Sequence, residues 1–397
     1  MYKKNKEQVH FVGIGGIGMS GIAEVLARLG FPVSGSDLAE SETVKKLREL
    51  GVKIGIGHKP ENLKGARVVV ISSAVGRDNP EVLEAQRLSI PIVPRAEMLA
   101  ELMRLKFGVA VAGTHGKTTT TSMLASMVAF AGADPTVIVG GKVDVLGGGN
   151  AKLGQGQFLI AEADESDGSF LRLSPVVTVV TNIDNDHLDF YGQMEKLRMA
   201  FLEFANKLPY YGRSILCADN PELCKLFPLI AKPFWTYGFS EHANFRITNF
   251  KAKGPGSTFT LLRNGSKLCD VTLHVPGVHN ATNAVGALAA ALELDIDLDK
   301  ALEGLAKFTG VRRRFEFKGK TAEKKITIVD DYGHHPTEIA ATIAAAKSYW
   351  PDGRVVVAFQ PHRYSRTQIC WGQFAESLAG ADQIYLLDVY AAGEPPI

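Results

Sequence analysis

Gly113-Thr114-His115-Gly116-Lys117-Thr118-Thr119 stands between an apolar run and a Thr/Ala-rich helical stretch. In that setting backbone amides and the Lys117 ammonium cradle the β- and γ-phosphates of a nucleotide, and the Thr118 hydroxyl is placed for Mg²⁺. The full G-x-x-x-x-G-K-[ST] spacing is not met, because Val111 occupies the position of its first glycine. The working Gly-Lys-Thr end nevertheless opens a helix. A second glycine turn, Gly13-Ile14-Gly15-Gly16-Ile17-Gly18, has G-x-G-x-x-G spacing between a strand and a helix. Glycines there let amides approach a pyrophosphate, and the helix N-terminus adds partial positive charge. Asp37 ends the next strand, where an acid binds a ribose hydroxyl. This turn alone does not separate NAD from a UDP-linked substrate, and a plain tight turn is the other reading.

Acids gather after two further strands. Ala161-Glu162-Ala163-Asp164-Glu165-Ser166-Asp167 offers carboxylates to Mg²⁺ beside substrate phosphates. Strand alternation puts Glu162 and Asp164 on one side and Glu165 on the other, with some of the acids merely solvated. Asn182-Ile183-Asp184-Asn185-Asp186-His187-Leu188-Asp189 adds a histidine that is either structural or reaches the same metal cluster. Asn280 and Asn283 open an Ala-rich helix and share one face, as a polar first turn or as a clamp on adenine or phosphate. Arg312-Arg313-Arg314 is either a solvated linker or a hinge from which one arginine closes on a phosphate. In the last third, Asp330-Asp331-Tyr332-Gly333-His334-His335-Pro336 and Gln360-Pro361-His362-Arg363-Tyr364-Ser365-Arg366-Thr367 each follow a strand. Their histidines and arginines suit an anionic substrate or a peptide-like acceptor.

The elements that must hold these groups alternate strand and helix. Val9–Gly13, Phe31–Ser36 and Arg67–Ser72 are continuous apolar or small runs, as expected for strands of a buried parallel sheet, with a helix from about Met19 to Leu29. The pattern restarts at Phe107, with strands at Gly108–Ala112, Phe158–Ala163 and Val176–Thr181 and helices at Thr118–Ala131 and Asn280–Leu294. Between Asn244 and Val275 the period drops to two around Gly-Pro-Gly and Asn-Gly turns, predicting hairpins at the edge of this second unit. A third restart near Gly310 predicts strands at Lys325–Val329, Arg354–Phe359 and Gln383–Leu387 and helices at Thr337–Ser348 and Thr367–Leu378. The fold class is therefore α/β in three domains, 1–105, 106–310 and 311–397. The third offers only three strands and reads as incomplete, an expectation that the domain continues past Ile397.

Bulk properties narrow the classes. With 397 residues, 46% apolar, 22% charged and a net charge of +2, the chain has no whole-molecule field for nucleic acid or an anionic membrane. The four cysteines show no metal spacing and read as free thiols in a reducing compartment. No stretch approaches the ~20 apolar residues of a membrane span.

Taken in order, the Gly-Thr-His-Gly-Lys-Thr-Thr-Thr-Thr run, Glu-Ala-Asp-Glu-Ser-Asp, Asp-Asp-Tyr-Gly-His-His-Pro-Thr-Glu and Phe-Gln-Pro-His-Arg-Tyr-Ser-Arg-Thr resemble the Mur ligase family, which builds the peptide stem of bacterial cell-wall precursors. The resemblance runs from about Val9 to the last residue. It implies a Rossmann-like N-terminal domain for the UDP part of the substrate, a central P-loop ATPase-like domain for ATP and metal, and a Rossmann-like C-terminal domain that admits the amino acid. It implies a cytoplasmic ligase that forms a carbon–nitrogen bond and releases ADP, using ATP and Mg²⁺, with Mn²⁺ as a substitute. The implied partners are UDP-N-acetylmuramate and L-alanine, without nucleic acid or membrane, on a monomer or weak homodimer. Residue by residue, it puts Gly13, Gly15, Gly16, Gly18, Asp37, Ser72 and Ser73 on the sugar nucleotide. It puts Gly113, Thr114, His115, Gly116, Lys117, Thr118 and Thr119 on ATP phosphates, Asn280 and Asn283 on the adenine side, and Asp331 on the ribose. Thr118, Glu162 and His187 hold metal, and Lys117, Glu162, His187 and Arg314 serve catalysis. His334, His335, His362, Arg363 and Arg366 contact substrate carboxylate or alanine. Leu202 stands where some members carry a modified lysine, so no such modification is expected. Three rivals remain, one of them a non-catalytic nucleotide-binding protein, favoured if the third domain is incomplete. A ligase that recycles a whole tripeptide onto the same sugar nucleotide has different third-domain motifs. An NAD-dependent dehydrogenase leaves the Gly-Lys-Thr loop and the acids unexplained.

Overall fold

A computed structural model describes residues 6–143, 149–321, 323 and 326–395. Lys325, Pro396 and Ile397 lie outside the described residues. The chain begins with β1 (Val9–Val12), α1 (Ile17–Arg28), β2 (Val33–Asp37), α2 (Glu42–Glu49), β3 (Lys53–Ile56), β4 (Val68–Ile71), α3 (Pro80–Arg87), β5 (Ile92–Pro94) and α4 (Arg95–Met103). The strands form a parallel sheet in the order β3-β2-β1-β4-β5. β1 is buried along its whole length, as a central strand covered on both faces must be. The strand order reverses between β1 and β4, and such a sheet takes its ligand beyond the carboxyl ends at that reversal. The Gly13–Gly18 turn leaves β1 there. β3 and β5 were not anticipated; they are short edge strands with no buried residue, so they lack the apolar run that betrays a central strand.

The middle of the chain runs β6 (Phe107–Ala112), α5 (Lys117–Phe130), β7 (Thr136–Val143), β8 (Gly149–Lys152), β9 (Phe158–Glu162), β10 (Val177–Val180), α6 (Leu188–Tyr191), α7 (Met194–Asn206), β11 (Arg213–Cys217), α8 (Pro221–Cys224), β12 (Phe234–Gly238), β13 (Phe245–Lys253), β14 (Gly256–Arg263), β15 (Ser266–Leu273), α9 (Val278–Glu293) and α10 (Leu298–Ala306). These strands form one sheet ordered β15-β14-β13-β12-β11-β10-β6-β9-β7-β8. The interior strands are parallel, and β13, β14 and β15 form the expected antiparallel meander at one edge. β10, β6 and β9 are neighbours, so the loops after them must converge at one end of the sheet. α5 and α9, buried nearly all round, pack on each other beneath that end. The first sheet is fixed to this one through α1, which packs on β7 and β8, with Asn150 Nδ2 donating to Ile17 O and Ser20 Oγ.

The last part comprises β16 (Glu316–Lys320), β17 (Thr327–Asp330), α11 (Pro336–Tyr349), β18 (Val356–Phe359), α12 (Tyr364–Ile369), α13 (Trp371–Leu378) and β19 (Gln383–Leu386). The single parallel sheet expected here is corrected: β17 pairs antiparallel with β16, and β18 pairs parallel with β19, as separate sheets among the described residues. β16, polar and mostly exposed, carries no strand signal in the sequence. The single helix expected over 367–378 is two helices meeting at Cys370. A small core of Ile339, Ile343, Phe359, Cys370, Phe374 and Leu378 holds the unit together.

Candidate active site

The loop between β6 and α5 turns through two glycines at which any side chain would be strained. Gly113 (φ +131°) and Gly116 (φ +83°) are left-handed, and a Cβ would lie 2.0 Å from Thr181 Oγ1 in the first case and 2.7 Å from Asn283 Oδ1 in the second. The segment after β10 clamps the loop. Thr114 N donates to Asn182 O (3.1 Å), His115 N to Asn182 Oδ1 (2.8 Å), and Asp184 N to Thr114 Oγ1 (2.9 Å). Lys117 Nζ donates to Gly113 O at 2.6 Å and pairs with Glu165 Oε1 at 2.8 Å. Burial pushes the Lys117 ammonium down, but Glu165, Asp164 and Glu162 outweigh it and hold the group charged above its ordinary value.

The acids surround that ammonium together. β9 ends at Glu162, so alternation stops there, and Glu165 turns onto Lys117 rather than to the opposite side. Glu162 meets the Thr118 hydroxyl, and burial raises its carboxyl above the ordinary range. Two buried carboxylate oxygens, Glu162 Oε1 and Glu165 Oε2, have no hydrogen-bond partner. Orphaned oxygens of this kind beside a threonine hydroxyl fit a hard dication. His187, in the left-handed region at the start of α6, places Nε2 3.8 Å from Glu165 Oε1 and 3.7 Å from Asp186 Oδ2.

Arg95, at the start of α4, joins this cluster to the first glycine turn. Its guanidinium lies across Gly18, where a Cβ would come 2.2 Å from Nη1, and Nη2 reaches Asp164 Oδ2 at 3.2 Å. Asp37 Oδ2 accepts from Gly15 N at 2.8 Å, so this acid also braces the turn. Gly13 is left-handed and Gly16 caps α1, while Ser72 and Ser73 follow β4 on the other side of the strand reversal.

A cavity of about 470 Å³ opens between the Gly113–Thr119 loop and the last part of the chain. Thr118, Thr119, Asn280, Asn283, Arg314 and Asp331 are among its walls. Asp331 accepts from Phe315 N (2.8 Å) and Gly333 N (2.6 Å), and burial raises its carboxyl. Arg314 Nη1 pairs with Glu338 Oε1 at 3.0 Å. Burial also holds His279, on the cavity wall, down at about 4, helped by Arg314.

Across the same joint runs a polar seam. His115 Nε2 meets Asp184 Oδ2 at 2.9 Å, and His115 Nδ1 lies 3.5 Å from Glu338 Oε1. Thr337 Oγ1 donates to Asp184 Oδ2 at 2.6 Å. His335, fully buried, caps α11 and lies against His115 with ring centroids 4.7 Å apart and planes tilted by 38°. Burial opposes a charge on His115, but Asp184 and Glu338 hold it protonated up to about 9. Nearby, Arg366 grips both oxygens of Asp186 (3.3 and 3.4 Å), bringing a cation from the last unit beside His187. Arg363, Arg366 and His187 border a small hollow here. His334 and His362 lie with ring centroids 6.0 Å apart, and burial, helped by Arg366 and only partly offset by Glu338, pushes His334 down to about 4. Arg95 carries no local signal in the sequence. Asp184 stands among the acids after β10 and Glu338 is the glutamate of a helix capping box, but neither has an assigned role there.

Three profiles cover the chain: "Mur ligase family, catalytic domain" over residues 8–107, "Mur ligase middle domain" over 111–291, and "Mur ligase, glutamate ligase domain" over 313–396. The chain belongs to the Mur ligase family. Among curated members, the UDP-N-acetylmuramate–L-alanine ligase of Pelobacter propionicus is 56% identical over 98% of this chain and 85% of its own length. That of Burkholderia thailandensis is 52% identical over 98% and 85%. Among solved structures, UDP-N-acetylmuramate-alanine ligase MurC from Thermotoga maritima superposes with a TM-score of 0.83 at 34% identity, covering 96% of this Mur ligase and 85% of that chain. The UDP-N-acetylmuramate:L-alanyl-gamma-D-glutamyl-meso-diaminopimelate ligase from Neisseria meningitides reaches 0.71 at 27% identity, over 78% and 100%.

Proposed function

We propose that this Mur ligase joins L-alanine to the lactyl carboxylate of UDP-N-acetylmuramate, with ATP as the phosphoryl donor. The carrying observation is the identity of 52% or more to curated ligases of that name along nearly the whole chain. The lower identity to the tripeptide ligase argues against a tripeptide as the acceptor.

The cavity beside the Gly113–Thr119 loop takes ATP, with Asn280 and Asn283 toward the base and Asp331 toward the ribose. Gly13, Gly15, Gly16, Gly18, Asp37, Ser72 and Ser73 take the UDP portion. Thr118 and Glu162 would hold one Mg²⁺ and His187 with Glu165 a second, supplying charge neutralisation at the phosphates. Lys117 leaves Gly113 O for the β- and γ-phosphates, and Arg314 faces the transferred group. A carboxylate is a poor electrophile. Its oxygen attacks the γ-phosphorus, the bond to ADP breaks, and an acyl phosphate results. The alanine nitrogen adds to the activated carbonyl, loses a proton and expels phosphate. The protein's share is positioning and electrostatics. Seating the last unit against the loop keeps water from the acyl phosphate. His334, His335, His362, Arg363 and Arg366 line the acceptor side, His335 by fixing α11 and Arg366 through Asp186.

Among the described residues no helix is long and apolar enough to cross a membrane. On the same reading the reaction runs in the cytoplasm, on a monomer or weak homodimer. The test is phosphate release that requires UDP-N-acetylmuramate and L-alanine together. Lys117→Ala is expected to cut kcat by at least about a thousandfold, within the range set by phosphate-binding cations. Release driven by either substrate alone, or near-normal turnover of the variant, contradicts the reading.

A further inference from the structure

The seam between the nucleotide loop and α11 contains more than an ion pair. One ligand atom each of His115, Asp184 and His335 lies within 4.8 Å of the other two. Two of the separations, 2.9 Å from His115 Nε2 and 3.6 Å from His335 Nδ1 to Asp184 Oδ2, are close to the spacing of ligands around a small tetrahedral ion. The outer nitrogens are also furnished. His335 Nε2 faces Asn185 O at 3.2 Å, which makes Nδ1 the unprotonated nitrogen; its lone pair accepts a long hydrogen bond from Thr337 N (3.3 Å), which a bound ion would replace. His115 Nδ1 faces Glu338 Oε1 at 3.5 Å. A backbone carbonyl behind one imidazole and a carboxylate behind the other are the outer partners that orient histidines bound to metal. The Thr337 hydroxyl fixes the carboxylate of Asp184.

We propose that His115 Nε2, Asp184 Oδ2 and His335 Nδ1 form a site for a divalent transition ion of the Zn²⁺ class, which pins the nucleotide loop to the first turn of α11. Asp184 Oδ2 and His335 Nδ1, both acceptors, face each other at 3.6 Å, an approach that a cation between them would relieve. The protonated His115 ring pairs with Asp184 and Glu338 but offers nothing to His335 Nδ1, which a dication would also engage. Two imidazoles and one carboxylate select Zn²⁺ and its neighbours over Mg²⁺, which prefers oxygen and water. The site is therefore distinct from the Thr118–Glu162–His187 cluster, which is built from oxygen ligands and one histidine. Three protein ligands leave a fourth position for water or a phosphate oxygen. Because His115 and Asp184 belong to the central sheet and His335 to α11, the ion stiffens the joint that flanks the cavity.

The test uses the full chain stripped with a chelator and titrated with Co²⁺, whose visible absorption reports tetrahedral geometry. Zn²⁺ is then measured by competition with a chromophoric chelator. One equivalent is expected, with the Co²⁺ spectrum unaffected by excess Mg²⁺. His115→Gln, Asp184→Asn and His335→Gln each abolish it, while Glu162→Gln and Cys269→Ser retain it. Glu338→Gln, which removes an outer partner, weakens Zn²⁺ by roughly ten- to a hundredfold. Should the buried His335→Gln variant fail to fold by circular dichroism, His115→Gln at its part-exposed position decides alone. No binding by the unaltered chain, binding that survives His115→Gln, or loss of the signal in Glu162→Gln overturns the proposal.

Discussion

Glu338→Gln isolates the contact on which the joint between the nucleotide loop and the last unit depends. The Glu338 side chain, 10% exposed, meets Arg314 Nη1 at 3.0 Å and His115 Nδ1 at 3.5 Å, and accepts from His334 N (3.1 Å) and His335 N (3.4 Å). Its carboxylate is held well below the usual range, burial being outweighed by His115 and Arg314. Glutamine keeps an oxygen for the helix amides but removes the charge. A charge-assisted hydrogen bond contributes about 1.5–3 kcal/mol, and a buried cation stripped of its partner costs up to about 5 kcal/mol. Arg314 keeps 30% of its side-chain exposure, so solvent screens part of that loss. A net loss of about 2 kcal/mol is expected, or roughly thirtyfold in the local opening equilibrium at about 1.4 kcal/mol per tenfold. Amide hydrogen exchange over residues 335–342 reads this directly, with the buried helix α9 as the internal reference. Exchange in α11 should rise about thirtyfold while α9 stays unchanged. Freed from Glu338, Arg314 also loses its aim, and kcat/KM should fall by about a hundredfold. Unchanged exchange in α11, or equal acceleration in α9, refutes the assignment of the joint to this carboxylate.

Two further outcomes follow from the same geometry. His115 is raised from 6.5 to about 9 in the fold, so its ion pairs contribute fully below pH 6.5 and are lost as pH rises through 9. In the presence of a chelator, the stability difference between the unaltered chain and His115→Gln should shrink by up to about 3 kcal/mol between pH 6.5 and 9; a flat difference across that window contradicts the assignment. Gly116→Ala forces a Cβ to 2.7 Å from Asn283 Oδ1 at φ +83°, which costs about 1–3 kcal/mol in backbone strain alone. ATP affinity measured by calorimetry should drop at least tenfold while the circular dichroism spectrum is retained, and unchanged affinity speaks against this loop as the phosphate cradle.

The central strands were legible because burial on both faces leaves unbroken apolar runs: Val68–Ile71 and Val177–Val180 announce themselves. β3, β5 and β16 sit at edges or in solvent and carry no such mark. The glycine turns were legible because close backbone approach restricts the residue type at each position. Lys117, Thr118, Glu162 and His187 could be nominated one by one, since each follows a strand at the carboxyl end of a parallel sheet. That Glu165 turns onto Lys117 was not legible, because the strand period that sorts side chains ends at Glu162. The seam was hidden for a different reason. Asp184 and His335 meet only when two units dock, and neither residue's local surroundings encode that contact. Arg95 joins the two glycine turns through a pairing with Asp164 across 69 positions of chain.

The proposed route carries the γ-phosphate through the substrate carboxylate. UDP-N-acetylmuramate labelled with ¹⁸O in both lactyl carboxylate oxygens, turned over with ATP and L-alanine, tests it by mass spectrometry of the inorganic phosphate. One ¹⁸O per released phosphate is the predicted result, since the oxygen that attacks the γ-phosphorus leaves with it when the amide forms. Phosphate carrying no ¹⁸O while the alanine conjugate accumulates would contradict the account.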